Sequence, residues 1–436
     1  MLKLFQQKIA QYTFLSILLL IAWNCSGRPV APSYENRNEQ KKEEQLPAPT
    51  IKVYVENSGS MDGYVKGVTD FENAVYSYLS DLQHADLGQK DSASHKNRLE
   101  LNYINSEVLT HKSDVEEFIR KLEPATFKMR GGNRNTSDMS DILDAILKRM
   151  ESPNDVSIFI SDCIFSPGKR CKPQDNADEY LVAQQIGIRN HLTEYLMDNP
   201  DLGVVVMRLI SQFDGNYYNK FDEPTYIKDN RPFYICLFGN KKQLKRIMNE
   251  IDKDRIVGSG VQNVFMLSKA NGELNYGLLF PQCVGELIPD KANPKTTVTG
   301  AKPEKNGGIS QFQLAVGVDY SHYLVGETYL MNANNYSISN KAYTLAISKN
   351  STSNSTYTHV LKLNLNQPII SKGSIKITLL NRLPEWIAQY TDESGLDINA
   401  PGAMEKTYGF KYLMQGIYDA YSTGQEKYGS ITINIK

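Results

Sequence analysis

The chain has 436 residues, with 48 lysines and arginines against 49 aspartates and glutamates, and its formal net charge is −1. This length predicts two folded domains, each large enough to bury its own core. The near-neutral charge excludes the broad basic surface of nucleic-acid-binding proteins, so we expect no nucleic acid among the partners.

Residues 1–25 have the pattern of a secretory signal. Lys3 and Lys8 precede the apolar run 14–22, which is short for a membrane span and ends just before Cys25. A cysteine at this place resembles the lipidation site of secreted lipoproteins of the Bacteroidetes type. The resemblance implies a lipid anchor on Cys25 as the membrane attachment, and an outer-membrane location on the periplasmic or the cell-surface side. An ordinary signal peptide cleaved nearby is the alternative.

Residues 26–49 follow this segment and are polar. They contain a run of charged side chains and several prolines, with too few apolar residues to form a core. The sequence therefore predicts a flexible tether between the anchor and the first domain.

The first predicted strand covers residues 51–55 and leads directly into a cluster of oxygen-bearing side chains. Glu56, Ser58 and Ser60 stand at alternate positions just past the end of this apolar run. A carboxylate and two hydroxyls with this spacing can face one small volume. Carboxylate, hydroxyl and water oxygens are the ligands that a hard cation such as Mg²⁺ prefers.

A glycine-containing loop, 131–138, precedes the next segment of interest. It opens the amphipathic helix that begins at Met139 and has apolar residues at helical spacing. We predict Thr136 or Ser137 as the N-cap of this helix. A threonine hydroxyl at such a junction can cap the helix, bind a metal, or do both.

The apolar run 156–160 predicts another strand, and Asp162 follows its end. In open α/β sheets, ligands collect outside the carboxyl ends of the strands, so Asp162 is expected near Glu56. Cys163 and Cys171 bracket the loop after Asp162, and a disulfide between them would fix this loop in an oxidising compartment. The sequence leaves the pairing open, because the cysteines other than Cys25 permit three full pairings.

Strands and helices alternate through the rest of this part. Helices are expected around 71–82, 115–122, 178–197 and 240–251, and further strands around 99–104, 203–210 and 232–238. Continuously apolar strands separated by helices are typical of a mainly parallel sheet covered on both faces. We therefore predict a doubly wound α/β domain over residues 50–252.

The three polar segments, taken in order, resemble the metal-ion-dependent adhesion site of the von Willebrand factor type A family. That site reads DxSxS after the first strand, a threonine in a later loop, and an aspartate after the fourth strand. The resemblance covers residues 50–252 and implies a metal site formed by Glu56, Ser58, Ser60, Thr136 and Asp162. Glu56 replaces the family's first aspartate, so it can bind the ion directly, bind it through water, or crowd it. The resemblance also implies Mg²⁺, or else Mn²⁺ or Ca²⁺, and a protein ligand with an exposed carboxylate.

Residues 255–436 show a different periodicity. Apolar side chains alternate with polar ones around 312–320, 361–365, 375–379 and 431–435. Period-two alternation predicts strands with one buried face, hence a β-rich, sandwich-like domain. Residues 410–421 carry an apolar stripe at helical spacing, which predicts one core helix in this domain.

The sequence favours a non-enzymatic, adhesion-type binding lipoprotein of the cell envelope. The 6 histidines are scattered, and no arrangement for nucleophilic catalysis stands out. On this hypothesis, the metal site binds an acidic group on a protein partner. The alternative is a metal-free structural or assembly scaffold that acts through the C-terminal β domain. A metal-dependent hydrolase is the third hypothesis.

Overall fold

The computed structural model describes residues 47–88, 96–135, 137–167, 177–251, 256–269, 273–307, 309–422 and 426–436. The predicted signal segment with Cys25, the tether up to residue 46, Thr136 and Cys171 lie outside these ranges. A search of the described helices finds none that is both long and apolar enough to cross a membrane.

A seven-stranded sheet organises the first part of the chain. Its strands are β1 Ile51–Glu56, β2 Leu99–Ile104, β3 Val108–His111, β4 Val156–Ser161, β5 Leu202–Tyr218, β6 Pro224–Asn240 and β7 Asn263–Ser268, in the spatial order β3-β2-β1-β4-β6-β5-β7. Strand β1 is parallel to both β2 and β4, and β5 runs in the same direction. The other neighbouring pairs are antiparallel. The predicted α/β class is confirmed, and the predicted parallel pairing is found at the centre of the sheet.

The two strands that carry the candidate site are fully buried along their length. Their continuous apolar runs explain this, because strands covered on both faces read as apolar throughout. Val55 of β1 lies opposite Ile160 of β4 in the parallel register. The carboxyl ends of β1 and β4 therefore reach the same edge of the sheet together.

The helices of this part are α1 Asp70–His84, α2 Val115–Arg120, α3 Pro124–Lys128, α4 Met139–Lys148, α5 Ala177–Asp198 and α6 Lys241–Glu250, with a short 3₁₀ helix at Gly59–Gly63. Helix α4 is capped by Asp138, whose carboxylate accepts a hydrogen bond from the Asp141 N–H at 3.2 Å. The prediction of Thr136 or Ser137 as the N-cap is thus wrong, because Asp138 occupies that position. The Ser137 hydroxyl instead turns inward and donates to Glu56.

Strands β5 and β6 form a hairpin much longer than the predicted strands. They pair from Leu202↔Asn240 to Tyr218↔Pro224. The inner half belongs to the sheet, between β4 and β7. The outer half continues past the sheet and packs against the 3₁₀ helix Gly59–Gly63. There Phe213 and Tyr217 are buried whereas Gln212 is exposed. The outer half of β5 therefore has one buried face and one exposed face, as expected for a strand packed on one side.

The remaining strands are β8 Asn275–Leu278, β9 Glu286–Pro289, β10 Thr297–Lys302, β11 Glu304–Asn306, β12 Ile309–Gln311, β13 Gln313–Asp319, β14 Tyr336–Ile338, β15 Tyr343–Lys349, β16 His359–Leu365, β17 Gly373–Leu380, β18 Thr391–Asp392, β19 Thr407–Tyr408 and β20 Lys427–Ile435. They form a sheet of order β14-β17-β20-β10-β9, another of order β15-β16-β13-β8, and two small pairs. Helices α7 Glu327–Leu330, α8 Glu385–Gln389 and α9 Phe410–Ser422 accompany them, and short 3₁₀ helices lie at Phe280–Gln282, Ala333–Asn335 and Ala403–Glu405. The predicted β-rich character of this part is confirmed, and α9 is the predicted core helix.

The two parts share packing across the predicted boundary at residues 252–255. Strand β7 lies beyond that boundary and pairs with β5 in the seven-stranded sheet. Helix α9 packs along α5. A side chain at Gly416 of α9 would place its Cβ 2.7 Å from the carbonyl oxygen of Gln185, so a glycine is required for this close approach.

Candidate metal centre

The structure brings four of the predicted site residues together at the carboxyl ends of β1 and β4. The Oγ atoms of Ser58 and Ser60 lie 3.0 Å apart. The Ser58 hydroxyl lies close enough to Glu56 to lower its pKa, and the Ser60 hydroxyl does the same to Asp162. These four side chains therefore form one connected cluster. The fifth predicted ligand, Thr136, is outside the described residues.

Glu56 is completely buried, and both of its carboxyl oxygens are hydrogen-bonded. The Ser137 hydroxyl donates to Oε1 at 2.6 Å, and the Ser161 hydroxyl donates to Oε2. Burial, reinforced by the nearby charge of Asp162, raises the pKa of Glu56 to about 7, against the smaller lowering effect of the serine hydroxyls. Ser137 and Ser161 were missed as site residues, because a single serine after a strand or before a helix gives no specific signal.

Asp162 is buried as well, but its two oxygens differ. Oδ1 accepts a hydrogen bond from the Ile164 N–H at 3.1 Å. Oδ2 has no hydrogen-bond partner among the described residues. Burial raises the pKa of Asp162, whereas the Ile164 N–H, the Ser60 hydroxyl and the charge of Arg231 lower it. An unpaired carboxylate oxygen in the interior is costly, so this atom is free to accept a further ligand.

Arg134 joins the second loop to the first. Its Nε donates to the carbonyl oxygen of Asn57 at 2.7 Å, and its Nη2 donates to that of Ser58 at 3.1 Å. It also forms an ion pair with Asp62. In return, the Gly59 N–H donates to the Arg134 carbonyl oxygen at 2.9 Å. Arg134 thus fixes the backbone that carries the two serines, a role that the sequence did not predict.

Arg231 brings a buried positive charge toward the site from β6. Its Nη1 donates to the carbonyl oxygens of Ala403 at 3.3 Å and Met404 at 3.2 Å, and its guanidinium lies 5.0 Å from the centre of the Tyr217 ring. Its charge lowers the pKa of Asp162. The sequence gives no sign of this contact, since only the folding of the hairpin creates it.

A small cavity of about 50 Å³ opens onto the two serines. Its lining includes Ser58, Ser60, Arg134, Ser166, Tyr218 and Asp222. The buried carboxyl groups of Glu56 and Asp162 do not line it, so the serine hydroxyls connect the cavity with them. Tyr218 and Asp222 come from the tip of the β5–β6 hairpin, which therefore covers the site.

Cys163 follows Asp162 directly and has a left-handed backbone, with φ 54°. Its thiol is buried and lies beside Cys236, a buried residue of β6. Burial, followed by the contact with Cys236, raises the pKa of the Cys163 thiol. The disulfide predicted between Cys163 and Cys171 stays a prediction, because Cys171 lies outside the described residues.

The spacing of the two serine oxygens is compatible with a hydroxyl-rich magnesium site. Adjacent ligands of an octahedral Mg²⁺ at about 2.1 Å lie roughly 3 Å apart, which is close to the 3.0 Å between the Ser58 and Ser60 oxygens. The same distance suits the hydrogen bond that the hydroxyls make. No group of three or more His, Cys, Asp or Glu side chains suited to a metal occurs within the described ranges, so the serines are essential to such a site.

Comparison of the chain with models of protein families, with curated proteins and with solved structures gave no match. The chemistry of this cluster is therefore inferred from its own side chains. They provide two buried carboxyl groups, two hydroxyls that reach a cavity, and one carboxylate oxygen without a described partner.

Proposed function

We propose that the chain is a non-enzymatic binding protein of the cell envelope that holds a divalent cation at the carboxyl ends of β1 and β4. The observation that carries the proposal is Asp162 Oδ2, which is buried and has no partner among the described residues. It belongs to the same cluster as two serine oxygens separated by 3.0 Å. A hard cation such as Mg²⁺ satisfies all three oxygens at once.

In this proposal the side chains have different roles. Ser58, Ser60 and Asp162 contribute oxygens to the ion. Glu56 contributes negative charge, because Ser137 and Ser161 already engage its two oxygens. The order of these residues along the chain supports the proposed likeness to von Willebrand factor type A domains, with a glutamate replacing the first aspartate.

The partner in this proposal is a protein with an exposed carboxylate. The cavity gives access to the serine side of the ion, and a carboxylate is a natural oxygen ligand for it. The proposed setting is the outer membrane, with the chain anchored by lipid on Cys25.

A metal-free scaffold acting through the C-terminal β part is the second candidate. Two observations favour it: the oxygens of Glu56 are satisfied by protein hydroxyls alone, and the guanidinium of Arg231 already offsets part of the negative charge of Asp162. In this candidate function the cluster stabilises the fold, and the C-terminal β part makes the contacts with other proteins.

Titration calorimetry with Mg²⁺ and Mn²⁺ on residues 26–436 distinguishes the two candidates. We expect saturable binding at one site that weakens by at least about tenfold in Asp162→Ala. Asp201→Ala, at the opposite end of the sheet, is the matched control and should bind like the wild type. Absence of saturable binding, or equal affinity in Asp162→Ala, would contradict the metal site and favour the scaffold.

A further inference from the structure

The tip of the β5–β6 hairpin presents a carboxylate to the candidate metal site. Asp222 lines the same cavity as Ser58 and Ser60. Its Oδ1 accepts a hydrogen bond from the Ser166 hydroxyl at 3.2 Å. Ser166 forms a backbone bridge with Ser137, whose hydroxyl bonds Glu56. Asp222 is therefore attached to the wall of the site, although it lies far from Asp162 in the sequence.

The backbone holds Asp222 in an unusual conformation. Its φ is 65°, in the left-handed region that few residues other than glycine, asparagine and aspartate adopt readily. The Asp222 N–H donates to the Asn219 carbonyl oxygen at 2.9 Å, and the Lys220 N–H donates to that of Gly395 at 2.9 Å. Such a conformation persists only where the surroundings fix it, so the turn presents the carboxylate in a defined position.

With a divalent cation bound, the charges around the site would be balanced by one further carboxylate. Glu56 and Asp162 supply two negative charges when ionised, and Arg231 supplies one buried positive charge. Arg134 also lines the cavity, but its ion pair with Asp62 balances its charge. A divalent cation would change this sum from one negative charge to one positive charge. One further carboxylate would then neutralise the site, as buried charges require.

We propose that Asp222 is the chain's own carboxylate ligand for the divalent ion. This inference rests on the proposed metal site and deepens it. Asp222 takes the position that an acidic group of a partner would occupy, so the resting site is closed within the chain. A partner's carboxylate must displace Asp222, and binding of the partner therefore requires the hairpin tip to move.

Mn²⁺ titration of residues 26–436 tests this role. Asp222→Asn removes the charge and keeps a side chain that tolerates a positive φ, so we expect Mn²⁺ affinity to fall by at least about tenfold. Glu223→Gln removes the neighbouring, exposed carboxylate and is the matched control, with affinity expected to remain near that of the wild type. Far-UV circular dichroism confirms that each variant is folded.

Chemical rescue supplies a second readout. Asp222→Gly is compatible with the positive φ and opens space beside the serines, so added acetate should restore its Mn²⁺ affinity while leaving that of the wild type unchanged. Equal Mn²⁺ affinity in Asp222→Asn and the wild type would overturn this inference but not the proposed function, provided that Asp162→Ala still weakens Mn²⁺ binding by at least about tenfold. A loss that acetate cannot restore would overturn it too. A wild-type chain that binds no Mn²⁺ would overturn both this inference and the proposed function.

Discussion

Glu56 and Asp162 are two carboxyl groups confined to one buried volume, and each makes ionisation of the cluster more costly. Desolvation raises the pKa of both groups, and the charge of Asp162 adds to the effect on Glu56. The serine hydroxyls and Arg231 reduce this cost without removing it. Ionisation of these two carboxyl groups therefore costs free energy, and a bound cation would reduce that cost.

The first consequence is a dependence of stability on pH. In the metal-free chain, burial raises the pKa of Glu56 in the folded state to about 7, from an ordinary value of 4.5. Between these values the folded state keeps a proton that the unfolded state loses, so this contribution to stability is present at low pH and is lost as pH rises through 7. We expect Glu56 alone to lower the free energy of unfolding by on the order of 2–3 kcal/mol between pH 5 and pH 8.

Urea unfolding in EDTA at a series of pH values measures this effect. Glu56→Gln should show a clearly smaller loss, because the neutral amide has no proton to release. Glu223→Gln, which alters an exposed carboxyl, is the control and should follow the wild type. The explanation fails if Glu56→Gln and the wild type have the same pH dependence. Saturating Mg²⁺ should also reduce the loss in the wild type, since the ion stabilises the ionised carboxylates.

At the scale of elements, loops fix the site as much as strands do. The loop 131–135 is held by Asn105, whose Nδ2 donates to Asn57 Oδ1 at 2.9 Å and to the Gly131 carbonyl oxygen at 3.0 Å. Asn57 stands between Glu56 and Ser58. A shift of Asn105 would therefore be transmitted directly to the predicted ligands.

Gly132 allows a sharp test of this loop. It has φ +70°, and a Cβ there would lie 1.9 Å from Asn105 Oδ1, so Gly132→Ala must displace Asn105. Gly131 has φ +96° with open space around it, so Gly131→Ala adds backbone strain of about 1–2 kcal/mol without a clash. We expect Gly132→Ala to lower the urea midpoint further than Gly131→Ala and to weaken Mn²⁺ binding at least tenfold. Equal effects of the two substitutions would show that the Asn105 link does not hold the site.

The β5–β6 hairpin is the other element that shapes the site. Its outer half would be an unsupported ribbon if it did not pack against neighbours, and isolated hairpins are marginal in water. Tyr64 packs edge-on against Phe213 at 5.0 Å between ring centres, and Gly63 leaves space for that ring. Arg231 anchors the other side through the carbonyl oxygens of Ala403 and Met404. The hairpin tip is thereby placed over the serines.

At the scale of the whole molecule, the α/β and β-rich parts are packed into each other. Residues 46–436 form one compact unit. Strand β7 completes the edge of the seven-stranded sheet, and α9 packs along α5. We therefore expect the described part of the chain to unfold as one cooperative unit.

This expectation can be tested by comparing the urea midpoints that two different unfolding probes report. Trp386 belongs to α8 in the β-rich part and stacks with Phe410 of α9, so its fluorescence reports that part. Far-UV circular dichroism reports both parts. In residues 26–436 the two urea midpoints should coincide, and Gly416→Ala should lower both, because its Cβ would meet the backbone of α5 at 2.7 Å. Gly326→Ala, in open space, is the control; two separated transitions would refute the coupling.

Elements with local signals could be predicted from the amino-acid sequence. Apolar runs and alternation identified β1, β4 and the core strands of the second part, and helical spacing identified α4 and α9. The sequence also placed Glu56, Ser58, Ser60 and Asp162 in one cluster, since the ends of neighbouring parallel strands meet at one edge.

The residues that close the site come together through long-range packing. Ser137, Arg134 and Arg231 act through contacts between segments that are distant in the chain. Asp222 reaches the cavity only because β5 and β6 extend past the sheet and pack between the 3₁₀ helices Gly59–Gly63 and Ala403–Glu405. Periodicity describes which face of an element is buried, but it contains no information on which distant segment covers that face. The clustering of the strand-end side chains could therefore be predicted, whereas the hairpin that covers them could not.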